Sequence, residues 1–152
     1  MNKLVSLEDL ESICCELRSA DKKIVFTNGC FDVLHLGHVR LLQKCKEYGV
    51  VFVGLNSDSS IKQLKGNNRP INNQIDRIEF LKVFDFVDYI ITFNETTAER
   101  LIKHIKPDFY IKGNDYKAED LECYDFIKSY GGEVLTFGFG IEKSTTKILN
   151  CL

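Results

Sequence analysis

Two histidines, His35 and His38, stand three residues apart at the end of the run T-N-G-C-F-D-V-L-H-L-G-H, Thr27 to His38. At the start of a helix that spacing puts both imidazoles on one face. A helix N-terminus adds unpaired backbone N–H groups and a partial positive charge, both of which favour phosphate. Gly37, and Gly29 in the preceding turn, leave the backbone open to close approach. Such a set can stabilise a five-coordinate phosphorus and a departing pyrophosphate without a covalent intermediate, since an attacking phosphate is already an anionic nucleophile. H-x-x-H by itself has plainer readings: a helix cap, core packing, or a metal pair completed by Cys30 or Asp32. What separates this pair from those readings is the whole run, set between a strand and a helix.

The elements that must position the run follow from periodicity. Lys22 to Thr27 is a short apolar strand, and Gly37 to Tyr48 has Val39, Leu41, Leu42, Cys45 and Tyr48 on one helical face, stopping at Gly49. Val50 to Leu55 is apolar almost throughout, as a strand buried on both faces must be. Further strands read at Val87 to Phe93, Asp108 to Lys112 and Val134 to Phe137. Helices read at Ser6 to Ala20 with Ser6 as N-cap, and at Ser59 to Lys65, Gln74 to Phe84, Thr96 to Ile105, Asp120 to Tyr130 and Ser144 to Leu152. Alternating strands and helices predict an α/β, Rossmann-like fold, a doubly wound parallel five-stranded sheet flanked by helices. Residues 1–152 read as one domain, with a helix in 1–21 leading into it. Such sheets bind ligands beyond the carboxyl ends of their strands.

Composition narrows the partners. A net charge of -2 supplies no global positive field for nucleic acid or anionic lipid. The apolar runs are strand-sized, short of the roughly 18 residues of a membrane span, and Met1 to Asp9 lacks the apolar segment of a secretory signal. The 6 cysteines, with Cys14 beside Cys15 and no C-x-x-C pair, read as reduced thiols of a cytoplasmic protein. Thiol chemistry at Cys30 would need a resolving cysteine, which the neighbouring sequence does not offer.

Three further places follow strand ends. Lys65 and Arg69 lie in a polar stretch that is either a solvated turn or a phosphate-gripping loop, stiffened at its exit by Pro70. Lys112 and Gly113 form either a plain strand-to-helix turn or a contact to phosphate and base edge. Ser144, Thr145 and Thr146 open the last helix and alone read as an N-cap.

The Thr27 to His38 run resembles the signature of the H-x-G-H nucleotidyltransferase superfamily, and the resemblance extends from about Leu7 to Leu149. V-G-L-N-S-D (Val53 to Asp58), L-K-G-N-N-R-P-I-N (Leu64 to Asn72), D-R (Asp76, Arg77), I-K-G-N-D-Y (Ile111 to Tyr116) and S-T-T-K (Ser144 to Lys147) occur in the family's order. The set is most similar to stand-alone adenylyltransferases that make ADP-heptose, for surface lipopolysaccharide, from D-glycero-β-D-manno-heptose 1-phosphate. Glycerol-3-phosphate cytidylyltransferases share H-x-G-H and S-T-T-K but lack the N-G-C-F-D form and the R-P-I-N…D-R stretch.

The resemblance implies a Mg²⁺-dependent enzyme joining the nucleoside monophosphate of ATP to a phosphorylated sugar, in a homodimer that binds neither nucleic acid nor membrane. It implies catalytic roles for His35, His38, Lys65 and Arg77, the two cations and Arg69 acting from a loop that closes over the triphosphate. The nucleotide would meet Thr27, Asn28, Gly29, Cys30, Phe31, Gly37, His38, Lys112, Gly113, Asp115, Ser144, Thr145 and Thr146. The acceptor would meet Asp32, Asn56, Asp58 and Arg69, and no protein ligand to the metal is implied. Two departures stand out: Asn114 replaces a glycine of K-G-G-D-Y, and Ile141-Glu142-Lys143 replaces E-G-x before S-T-T. The rivals are a cytidylyltransferase acting on glycerol 3-phosphate or a related phosphate, and a non-catalytic nucleotide-binding module, against which the intact histidine pair speaks.

Overall fold

The apolar runs become five parallel strands in a computed structural model that describes residues 2–140 and 145–151. They are β1 (Ile24–Gly29), β2 (Val50–Asn56), β3 (Tyr89–Phe93), β4 (Phe109–Gly113) and β5 (Glu133–Phe137), in the order β3-β2-β1-β4-β5. Central β1 pairs with β2 from Ile24 opposite Val50 to Gly29 opposite Leu55, and with β4 through Val25–Phe109 and Phe26–Tyr110. The chain winds from β1 out to one edge and returns to build the other, so the order reverses between β1 and β4. That switch is where the crevice of a doubly wound sheet opens.

Seven α-helices are described: α1 (Leu7–Ser19), α2 (Leu36–Tyr48), α3 (Asp58–Lys65), α4 (Gln74–Lys82), α5 (Glu99–Ile105), α6 (Tyr124–Ser129) and α7 (Thr145–Asn150). One core layer packs Leu10, Cys14, Leu101, Ile102 and Ile127 against Phe26 and Phe52. The other packs Leu42, Cys45, Ile78 and Leu81 against Val25, Val51, Val53 and Leu55. Helices on both faces explain why β1 and β2 are apolar nearly throughout. Upstream of α1 the chain extends the sheet edge, Val5 N donating to Ile90 O at 3.0 Å.

Local signals account for the boundaries. Ser6 caps α1 by accepting from Asp9 N at 3.2 Å. Gly49 ends α2 at φ +158, where a Cβ would lie 2.3 Å from Lys23 O. The continuous helix expected over Asp120 to Tyr130 is instead a 3-10 turn, Ala118–Asp120, followed by α6. Between them Cys123 takes a left-handed φ of 59, which stops helix propagation. The helix expected from Thr96 begins at Glu99, its first turn closed from outside by Glu122, which accepts Ala98 N at 2.8 Å. All 6 cysteines are free, and among the described residues no helix is long and apolar enough to cross a membrane.

Candidate active site

At the start of α2 the two histidines bind the turn they belong to. Gly37 N donates to His35 Nδ1 at 3.1 Å, and His35 N donates to His38 Nδ1 at 3.3 Å. The rings lie in contact, centroids 3.9 Å apart and planes tilted by 30°, and Phe31 packs on His38 at 5.1 Å. A neutral imidazole whose Nδ1 accepts carries its proton on Nε2, so in each ring the remaining proton sits on Nε2. Burial, then the neighbouring His35, Lys65 and Lys112, hold His38 down to about 3. The pair is therefore the helix cap of the plainer reading, with His38 held as a neutral imidazole.

Two adjoining cavities open beyond the strand ends. The smaller, about 290 Å³, is lined by His35, Gly37, His38, Leu41, Asn28, Gly29, Phe31, Lys65, Lys112, Gly113, Asn114, Asp115, Tyr116, Phe137, Phe139, Thr145 and Thr146. The larger, about 500 Å³, shares Asn28, Gly29, Phe31, His38, Lys65, Lys112, Tyr116 and Thr145 with it. Cys30, Asn56, Leu64, Thr96, Tyr110, Asp120, Leu121 and Glu122 line the larger cavity alone. Two compartments with a common wall suit two substrates meeting at one reaction centre.

That wall is held from beneath. Lys112 Nζ donates to Asn28 O at 2.6 Å, and the Tyr110 hydroxyl donates to Asn28 Oδ1 at 2.6 Å. Burial lowers the Lys112 ammonium from its usual range and raises the Tyr110 phenol, leaving Tyr110 a permanent donor to Asn28.

Arg77 is a correction. It lies on α4 rather than in a loop, its side chain has no exposed surface, and it lines neither cavity. Its guanidinium donates to Asn72 O at 3.0 Å, Cys30 O at 2.8 Å, Asn56 O at 2.7 Å and Asp58 Oδ1 at 2.8 Å. It joins α4, the turn after β1, the end of β2 and the start of α3, which makes it the pin of the site.

The acceptor set divides likewise. Asn56 lines the larger cavity, whereas Asp32, Asp58 and Arg69 line neither. Asp58 faces Arg77. Asp32, 1% exposed, takes Ile71 N at 2.9 Å, Asn72 N at 2.8 Å and Arg69 Nε at 2.8 Å, tying the 66–73 segment to the turn after β1. Burial alone would push its carboxyl up; the Asn72 and Ile71 N–H groups and the Arg69 guanidinium outweigh that and hold it low. Arg69 Nη2 is buried with no hydrogen-bond partner among the described residues.

In the nucleotide set Thr27 is corrected: with no exposed surface, it sits inside the sheet and lines neither cavity. Cys30 belongs to the larger cavity, and burial raises its thiol against the pull of Lys65, Arg77 and Arg69, which disfavours the reactive thiolate. Thr145 Oγ1 donates to Val33 O at 2.9 Å, seating α7 against the histidine turn. Ser144 and the Ile141-Glu142-Lys143 departure lie outside the described residues. Sequence reading missed Tyr110, Thr96, Asp120 and Glu122. A tyrosine in an apolar strand reads as core, and an acid in an expected helix reads as solvated.

A family model described as cytidylyltransferase-like matches residues 26–139. The bifunctional protein HldE of a Nitratiruptor species is 50% identical over 143 residues, 93% of this chain and 30% of that protein. The HldE of Geobacter metallireducens is 46% identical over 149 residues, 97% of this chain and 30% of its own length. The chain thus spans about 30% of the relatives it matches. Among solved structures, a lipopolysaccharide core biosynthesis protein from Thermoplasma volcanium is 28% identical with a TM-score of 0.63, covering 78% of this chain and 96% of that one. A pantoate-beta-alanine ligase from Francisella tularensis shares the fold at 16% identity, with a TM-score of 0.69 over 96% of this chain and 69% of its own.

Proposed function

The chain belongs to the cytidylyltransferase-like family, and from that premise we propose that it is a nucleotidyltransferase joining the AMP of ATP to a sugar 1-phosphate. The acceptor in this reading is D-glycero-β-D-manno-heptose 1-phosphate, and the products are ADP-heptose and pyrophosphate. The observation that carries the reading is the pair of cavities meeting at His38, Asn28 and Lys112. One compartment suits a nucleotide, the other a phosphorylated acceptor, with the histidine turn between them.

An acceptor phosphate oxygen attacks the α-phosphorus in line; the new P–O bond forms as the bond to the β-phosphate oxygen breaks, and that electron pair leaves with pyrophosphate. His35 and His38 donate through Nε2–H to phosphate oxygens, joined by the N–H groups that open α2. Lys65 and Lys112, on both cavity walls, balance the growing negative charge. The oxygen-bearing side chains of the smaller cavity, Asn28, Asn114 and Asp115, suit Mg²⁺ carried mainly by nucleotide oxygens and water, which when bound neutralises the leaving pyrophosphate. Arg69, which lines neither cavity, serves this reading by pairing with Asp32 and so fixing the segment beside the turn after β1. Self-association belongs to the same reading, supported by Ile75 of α4 and Val83 just after it, which are 72% and 74% exposed.

Pyrophosphate release with each of ATP, CTP, GTP and UTP, with Mg²⁺, against heptose 1-phosphate and glycerol 3-phosphate tests the reading. Turnover confined to ATP and the heptose supports it. Turnover with CTP and glycerol 3-phosphate replaces it by the cytidylyltransferase reading, and turnover unaffected by changing both His35 and His38 to Ala refutes the mechanism.

A further inference from the structure

We propose that Glu122, with Asp120 near it in the chain, selects the acceptor by taking hydrogen bonds from a neutral polyol body and excluding acceptors with a second negative charge. The proposal rests on the larger cavity being the acceptor compartment. The charges of that cavity are sorted. Lys65 and Lys112 stand on the wall common to both cavities, whereas Asp120 and Glu122 belong to the larger cavity alone. An acceptor with its phosphate at the common wall leaves its uncharged body in the remaining space, beside Thr96, Asn56 and the two carboxylates.

The backbone holds Glu122 in place for this. It lies in the break between the 3-10 turn and α6, after the buried Leu121 and before the left-handed Cys123. Its Oε2 accepts Ala98 N at 2.8 Å, and Oε1 takes no hydrogen bond from the described residues. A fixed carboxylate with one oxygen committed and one available accepts from a hydroxyl at little ordering cost. The same oxygen repels a carboxylate or phosphate on the acceptor body, because like charges juxtaposed across a binding surface are disfavoured.

Glu122→Gln separates these effects from packing. Its carbonyl oxygen can keep the bond to Ala98 N, so the amide NH₂ replaces an acceptor with a donor of equal size. The test compares wild type and Glu122→Gln with heptose 1-phosphate and glucuronic acid 1-phosphate, by pyrophosphate release and, without nucleotide, by calorimetric binding. The expected result is a loss of roughly tenfold or more in kcat/KM for the neutral sugar, carried by its KM. The KM for ATP and the melting temperature stay unchanged, and the preference for neutral sugar over uronate falls by a similar factor. An unchanged preference overturns the assignment, as does a parallel shift in both substrates' KM. Wild type that releases no pyrophosphate with any combination refutes the reaction, while the ratio of dissociation constants still decides whether Glu122 discriminates.

Discussion

The Asn114 carboxamide occupies the space a side chain at residue 138 would need: a Cβ on Gly138 would lie 2.4 Å from Asn114 Nδ2. Asn114 N also donates to Phe137 O at 2.9 Å, holding the ends of β4 and β5 side by side. The asparagine that departs from K-G-G-D-Y is thus accommodated by a glycine across the sheet. Because the obstructing atom ends a flexible side chain, Gly138→Ala should displace Asn114 rather than damage the fold, with stability changed by less than about 1 kcal/mol. Asn114 lines the smaller cavity, so the nucleotide KM should change severalfold. In an Asn114→Gly background the same substitution should have almost no effect. Equal effects in both backgrounds would show that the two residues are not coupled.

Asp32 and Arg69 latch the 66–73 segment to the histidine run. Asp32→Asn removes the charge that Arg69 Nε and the Ile71 and Asn72 N–H groups all face, leaving a buried guanidinium unpaired. A loss of about 3 kcal/mol is expected in urea unfolding, together with faster proteolysis within 66–73. Since the folded carboxyl lies below its ordinary value of 3.8, its contribution is present above that pH and lost as pH falls through the folded value. A variant as stable and protease-resistant as the parent would show that the latch contributes nothing.

Lys65 and Arg77, cations of one expected loop, should part company in experiment. Lys65 is exposed at the end of α3 on the wall common to both cavities, so Lys65→Ala should lower kcat/KM at least tenfold without moving the melting temperature. Arg77→Lys keeps a charge but cannot reproduce a fork that reaches Asn72, Cys30, Asn56 and Asp58. It should cost about 3 kcal/mol of stability, and activity should fall through misplacement of the turn after β1. Arg77→Lys with normal stability and selectively lost turnover would restore the loop-cation role.

Legibility in the sequence tracked how local each signal was. Strand and helix periods, the Ser6 cap and the stop at Gly49 depend on neighbours in the chain, and a parallel sheet follows from alternation, whereas its strand order does not. The histidine turn was readable because its hydrogen bonds span only two or three residues. Arg77, Tyr110 and Glu122 were not, because each is defined by a partner far along the chain: Cys30 O, Asn28 Oδ1 and Ala98 N. Composition around an arginine does not reveal whether folding will bury it.

His38 makes a prediction in which protonation and folding oppose each other. Burial, with His35, Lys65 and Lys112 nearby, holds the folded imidazole at about 3, against 6.5 as its ordinary value. Across that window the unfolded chain binds a proton that the folded protein refuses. Stability is therefore full above about pH 6.5 and declines as pH falls toward 3. His38→Gln removes this component, so its unfolding free energy should drop less than the wild type's between about pH 7 and pH 5. By NMR the His38 ring of the free protein should show no titration across that interval, remaining a neutral Nε2–H donor. A His38 midpoint between about 6 and 7 would overturn this, and would mean that the ring enters the reaction as a cation.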